Sequence, residues 1–376
     1  MLKLPPISLY IHIPWCLKKC GYCDFYSYVH KGSIPENNYI KNLLKDLESD
    51  LSLINQRTIK NIFIGGGTPS LLKVSSIKNL INGIKKRVKV SKIAEITIEA
   101  NPKKIEYQRF EGYKKAGINR FSLGIQTFNS DLLKKIERTY DKYEAIKTVE
   151  KIKKINNNFN LDIMYGLPNQ SLENALSDLM LAIKYKAPHI SWYQLTIEPN
   201  TVFYFKKPTL PNEKIIFQIF NQGDKFLKKS GYKKYEISSY SKSKYKCKHN
   251  LNYWNFGDYL GIGCNAHGKI TQKNGDIIRL VKNKNINDFI NGNYLNIKKN
   301  IAKKDIPFEY FMNSFRLYKP IFKKKFKERT NINLIDIKKN INKALTKGYI
   351  KETKDFWKTT KKGKLFLNSL LKIFLD

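Results

Sequence analysis

The stretch Cys16-Leu17-Lys18-Lys19-Cys20-Gly21-Tyr22-Cys23 governs how the rest of the chain is read. It follows Leu9-Tyr10-Ile11-His12-Ile13-Pro14-Trp15, an apolar run that reads as a short buried strand closed by Pro14. Three thiolates at this spacing can fold around one cubic iron–sulfur cluster, each binding a different iron. The fourth iron of a [4Fe–4S] cluster then lacks a cysteine from this segment and is open to an exchangeable ligand. Soft thiolates so close together also suit zinc, with His12 or His30 completing a tetrahedral site. That alternative leaves the glycines and carboxylates further along unexplained.

Around this stretch lie 376 residues, enough for one large α/β core and a small appended domain. There are 70 Lys and Arg against 31 Asp and Glu, a formal charge of +39. Such an excess raises nucleic acid or an anionic membrane surface as partners. Only eight of the 70 are Arg, however, and bidentate recognition of phosphate or bases favours Arg. The lysines are also spread along the whole chain, so they read as a solvated surface that attracts anionic ligands in passing. No specific nucleic acid is expected; peripheral contact with a membrane is compatible with the charge. Five cysteines with three clustered form no disulfide framework, and a cluster requires reduced thiols, so the expected compartment is the cytoplasm. The first six residues contain no apolar signal region, and no uncharged run approaches the roughly 18 residues needed to span a bilayer.

Strand-like apolar runs at 8–13, 61–64, 95–99, 120–125, 161–165 and 189–195 alternate with helical periodicity at 39–54, 75–88, 107–116, 143–155 and 172–185. Repeated strand–helix units predict a parallel sheet with right-handed crossovers, covered on both faces. Ligands of such sheets gather at the C-terminal strand ends. The candidate motifs fall there. Gly65-Gly66-Gly67-Thr68-Pro69 exposes backbone at close range. Glu99 ends the third strand and needs a partner if buried. Gln126 ends the fourth.

The Cys-x3-Cys-x2-Cys spacing after a first strand resembles the radical S-adenosylmethionine (SAM) superfamily. With Tyr10-Ile11-His12-Ile13-Pro14 ahead of it, the chain more narrowly resembles the oxygen-independent coproporphyrinogen III oxidase family. The oxidising branch of that family carries a further cysteine two positions after the third; Phe25 stands there, which is the pattern of the HemW-type haem-chaperone branch. The resemblance implies an incomplete (βα)6 barrel holding a [4Fe–4S] cluster at Cys16, Cys20 and Cys23 and SAM on the open iron. It implies SAM contacts at Tyr10, Tyr22, Gly66, Gly67, Thr68, Glu99, Gln126, Arg138 and Asp162, the last two on positions that hold a second SAM in the oxidase. His249-Asn250-Leu251-Asn252-Tyr253-Trp254 matches the branch motif associated with haem. A neutral imidazole is a good axial ligand, and Tyr253 and Trp254 can offer flat surface to a porphyrin. Cys247 is a second haem ligand or, by preference, a buried small hydrophobe.

Gly261-Ile262-Gly263-Cys264-Asn265-Ala266-His267-Gly268 lacks the context of a dinucleotide fingerprint. From about residue 300 the pattern becomes helix, small hairpin, helix, a winged-helix-like outline. Such folds often bind DNA, but scarce Arg and the resemblance favour a packing domain. The expected organisation is therefore a partial barrel at 1–235, a connecting region at 236–300 with the haem motif and glycine-rich loop, and a helical domain at 301–376. The function implied is haem uptake and delivery to an acceptor haem protein, plausibly respiratory. The alternatives are oxidative decarboxylation of coproporphyrinogen III and, from charge alone, an RNA-modifying radical SAM enzyme.

Overall fold

Strand β1 (Ile7–Ile13) is buried along its length except at Tyr10, as expected of a strand covered on both faces. It opens a series in which strands β2 (Ile59–Gly66), β3 (Val90–Ala100), β4 (Arg120–Gln126), β5 (Phe159–Tyr165) and β6 (His189–Gln194) follow in order. All run parallel and each pairs with its predecessor. Helices α1 (Glu36–Ser49), α2 (Val74–Arg87), α3 (Phe110–Ala116), α4 (Lys142–Ile155), α5 (Leu172–Lys184) and α6 (Glu213–Lys229) occupy the connections. The computed structural model describes residues 4–30 and 32–375; residues 1–3 of the N-terminal stretch lie outside it. No helix among the described residues is long and apolar enough to cross a membrane.

The parallel set has a seventh member. Strand β7 (Asp258–Ile262) pairs parallel on the free side of β1, from Ile7 opposite Asp258 to Ile11 opposite Ile262. Three antiparallel strands then extend that edge: β8 (His267–Thr271), β9 (Ile277–Lys282) and β10 (Leu295–Asn300). At the opposite edge the short strand Ser239–Ser241 lies antiparallel on β6. The run 236–300 thus supplies strands to both edges of the main sheet, and the glycine-rich 261–268 segment is the end of β7 and its turn into β8. The motif residues lie on helix α7 (Lys248–Trp254) just before β7.

Buried ion pairs fix this extension. Lys282 on β9 reaches Asp46 of α1 at 2.5 Å and Asp50 at 2.6 Å, with the ammonium almost wholly buried. Asp258 at the start of β7 binds Arg57 at 2.6 Å and Lys269 at 2.9 Å. Charges removed from water in this way persist only when paired.

The C-terminal part has its own apolar core, in which Phe311, Phe326, Trp357 and Phe374 meet. A three-stranded sheet of Ile321–Phe322, Phe356–Thr359 and Ile350–Glu352 packs with helices Lys323–Thr330, Lys338–Thr346 and Leu367–Lys372. The helix–hairpin–helix outline is present. This unit meets the main sheet through Phe256 against Tyr310, rings 5.4 Å apart, and through Arg279 paired with Glu309.

Candidate functional site

The cysteine loop leaves β1 at Pro14 and is closed on itself by a two-stranded pairing of Trp15–Cys16 with Tyr28–Val29. Cys23 N–H donates to Cys20 O at 3.0 Å, and Phe203 N–H donates to Gly21 O at 2.9 Å, pinning the loop from outside. The three thiols are free, partly exposed, and face one cavity of about 320 Å³. Burial pushes the Cys16 thiol up and the Cys23 thiol up to about 11, with their neighbouring sulfurs adding to the shift. Thiols held protonated by burial and mutual repulsion are suited to a cationic cluster, which stabilises the thiolates. No three His, Cys, Asp or Glu side chains among the described residues converge on a single-ion site. Cluster cysteines need not converge, since each takes its own iron. The zinc alternative loses His12, whose ring nitrogens meet Tyr10 OH at 3.0 Å and Tyr26 O at 2.9 Å.

The glycines close on the cysteine loop. Gly67 N–H donates to Ile13 O and Thr68 N–H to Trp15 O, both at 2.7 Å, and Gly66 N–H donates to Glu99 at 3.1 Å. Gly66 has φ +111°, and a Cβ on Gly67 would lie 2.5 Å from Trp15 O. Only glycine fits that approach. With these N–H groups engaged, what remains for an amine ligand is acceptor oxygen. A chain of hydrogen bonds runs on from the loop: Thr68 Oγ1 donates to Cys16 Sγ at 3.5 Å, Asn101 Nδ2 to Thr68 at 3.2 Å, and Arg138 to Asn101 Oδ1 at 3.0 Å. The Arg138 guanidinium lies 5.8 Å from the rings of Tyr22 and Tyr140.

Deeper in the cavity, burial and then Asp162 push the Glu99 carboxyl up to about 8. Asp162 accepts from Ser122 and from Asn160, each at 2.8 Å. Gln126 takes a left-handed φ of +61° at the end of β4 and accepts from Tyr193 OH at 3.0 Å. Holding a non-glycine residue there costs roughly 1–3 kcal/mol. The ring of Tyr10 stacks on Phe63 with centroids 6.4 Å apart. The structure therefore brings the cysteines, Tyr22, Gly66, Gly67, Thr68, Glu99, Gln126, Arg138 and Asp162 to one cavity. Sequence reasoning missed Asn101, Arg120, Ser122 and Asn160 on the same walls, and named Asn250 there only as part of the haem motif. A buried polar residue inside an apolar strand was the available signal for Arg120 and Asn160.

The motif helix packs against the sheet near this cavity. Glu95 Oε1 accepts the N–H of Lys248 at 2.8 Å and of His249 at 3.4 Å, capping α7 from β3. The His249 ring is buried, stacks on Phe63 at 5.0 Å, and its Nε2 meets Tyr253 OH at 2.8 Å, one helical turn on. Burial lowers its pKa to about 3, so the imidazole is neutral. Tyr253 is covered by Tyr259 at 4.4 Å and Trp254 by the Arg316 guanidinium at 4.4 Å. The flat surfaces expected for a porphyrin are thus occupied by the protein's own side chains. Cys247 and Cys264 are buried away from the cluster loop, and Cys264 Sγ donates to Lys284 O at 2.8 Å.

Residues 10–182 match the model of the radical SAM superfamily and residues 301–366 that of the HemN C-terminal domain. The chain is 72% identical over its whole length to the haem chaperone HemW of Buchnera aphidicola subsp. Schizaphis graminum, and that relative is covered in full. It is 47% identical to the haem chaperone HemW of Escherichia coli, again with both chains fully covered. The structure of coproporphyrinogen III oxidase (HemN) from Escherichia coli superposes with a TM-score of 0.84 over 99% of this chain and 90% of that one. At 21% identity that match speaks for the fold alone. With its cysteine loop, its cavity at the strand ends and full-length identity of this order, the chain belongs to the HemW haem-chaperone family within the radical SAM superfamily.

Proposed function

We propose that this chain takes up haem and hands it to an acceptor haem protein, and that it does so with a [4Fe–4S] cluster and SAM in residence. Cys16, Cys20 and Cys23 would hold the cluster, which when bound offers one iron to the amine and carboxylate of SAM. Glu99, Gln126, Arg138 and Asp162 line the wall against which the nucleoside and its polar groups would lie. Tyr22, Gly66, Gly67 and Thr68 complete it, and Tyr10 stands behind it, stacked on the wall residue Phe63.

The observation that carries the haem assignment is the placement of His249: a neutral imidazole with one unpartnered nitrogen, Nδ1, on a helix anchored to the same strands that build the cavity. A neutral ring is the state that ligates iron. Haem contact at His249, Tyr253 and Trp254 requires Phe63, Tyr259 or Arg316 to yield, so uptake is coupled to movement of α7 or of the helical domain that supplies Arg316. The acceptor in this reading is a respiratory haem protein, met in the cytoplasm at a membrane surface that the lysine-rich exterior tolerates.

The test is a Soret titration of the reconstituted protein at high salt, where attraction of haem propionates to exposed lysines is screened. Binding that persists in wild type and is lost or spectrally altered in His249→Ala supports the assignment. Equal binding by both proteins sinks the haem site. SAM-dependent decarboxylation of coproporphyrinogen by the same preparation would replace the chaperone reading with the oxidase one.

A further inference from the structure

Arg120 opens β4 and is 2% exposed, yet among the described residues its guanidinium makes no hydrogen bond and no ion pair. It lines the cavity. A buried cation is costly unless an anion compensates it, and arginine does not escape by losing its proton. Three carboxylates act on it electrostatically through space, Glu95, Asp162 and Glu99, but none makes a hydrogen bond or ion pair with it. Glu95 Oε1 caps α7 through Lys248 and His249. Asp162 spends one oxygen on Ser122 and the other on Asn160. Cys247 and Tyr235, the other neighbours, are neutral groups held protonated by burial.

A second polar side chain, the Asn250 amide, lines the same cavity. A fixed cation and an amide share one chemistry: both donate hydrogen bonds to a carboxylate.

We propose that Arg120 and Asn250 form a carboxylate-binding subsite in the wall of the cavity, lying between the strands of the radical SAM core and the first turn of the haem-motif helix. Arg120 supplies the charge and the bidentate geometry. The subsite gives Asn250, the second residue of the motif, a role that does not depend on axial ligation. A carboxylate can reach it from a tetrapyrrole propionate or from the methionyl end of SAM, and the first of these rests on the haem-chaperone reading.

The experiment uses the full-length, anaerobically reconstituted protein and two ligand pairs at high salt: haem with its dimethyl ester, and SAM with decarboxylated SAM. Loss of a charge-assisted hydrogen bond corresponds to a change in affinity of about tenfold or more. If the carboxylate is a propionate, wild type prefers haem over the ester by about that factor and Arg120→Gln loses the preference. If it is the methionyl carboxylate, Arg120→Gln instead reduces the preference for SAM over its decarboxylated analogue. Arg120→Gln with both preferences at their wild-type values overturns the subsite. Should Arg120→Gln fail to fold, Asn250→Leu decides in its place: a several-fold fall in one preference supports the subsite, and no change in either overturns it. Wild type with no salt-resistant haem binding sinks the chaperone reading instead and leaves the SAM pair to judge the subsite.

Discussion

Glu95 Oε1 accepts the backbone N–H of Lys248 at 2.8 Å, so a carboxylate on β3 caps a helix 153 residues further along the chain. The pair spans the sheet and the motif that the haem assignment depends on. Glu95→Ala removes the cap from α7 and is expected to cost about 1–2 kcal/mol. Glu95→Gln keeps one acceptor oxygen and costs less. Urea unfolding of the three proteins measures this, and haem affinity should fall in the same order. If Glu95→Ala matches wild type in both, the cap does not hold the motif in place.

Cys16→Ala, Cys20→Ala and Cys23→Ala are each expected to abolish the cluster, whereas Cys247→Ala and Cys264→Ala leave it intact. The last two thiols are buried outside the loop, Cys264 against Lys284 O. Iron and sulfide analysis after anaerobic reconstitution reads the difference. A full cluster in Cys16→Ala would remove the assignment at its root.

The raised carboxyl of Glu99 makes a prediction about pH. In the folded, ligand-free protein it binds its proton up to about 8, whereas the unfolded chain releases it near the ordinary value of 4.5. Between these limits the folded state holds more protons, so its contribution to stability is present at low pH and is lost as pH rises toward 8. Glu99→Gln removes the titration. The ligand-free variant should gain about 1–2 kcal/mol on wild type near pH 8, a figure reduced by the carboxyl's place on an open cavity. Urea midpoints of the two proteins that stay parallel across that window, from 4.5 to about 8, would contradict it.

Lys282 is the buried cation that joins β9 to α1 through Asp46 and Asp50. Lys282→Met leaves two carboxylates facing each other without their partner, and loss of about 3–5 kcal/mol is expected. The triple replacement of Lys282, Asp46 and Asp50 by apolar residues of similar size should recover much of it. A single substitution costing less than about 1 kcal/mol would show that the pair is compensated by water.

Much of the sheet was legible because its strands are continuous apolar runs between helical periods. All six expected strands are present, β3 being longer at its start through Val90–Ala94, where the apolar signal is weak. The seventh was not legible. Asp258-Tyr259-Leu260-Gly261-Ile262 ends in glycines that read as a loop, and its partner is β1, some 250 residues earlier. Local pattern carries no information about so distant a pairing. The cavity shows the same division. Its cysteines, glycines and strand-end carboxylates stand in recognisable spacing, whereas Arg120, Ser122 and Asn160 lie at or near the starts of their strands, and their importance depends on which face borders a void. The covering of Trp254 by Arg316 depends on a domain contact and could not be read from the motif.

The placement of β1 between β2 and β7 has a consequence for the chain during its synthesis. β1 leaves the ribosome some 250 residues ahead of its partner β7, and one of its two hydrogen-bonding flanks stays vacant until Asp258–Ile262 emerges. At translation rates of about 5–20 residues per second the wait is roughly 12–50 s. Through that interval the nascent chain presents an apolar edge, directly followed by three reactive thiols, to whatever strand or oxidant meets it first.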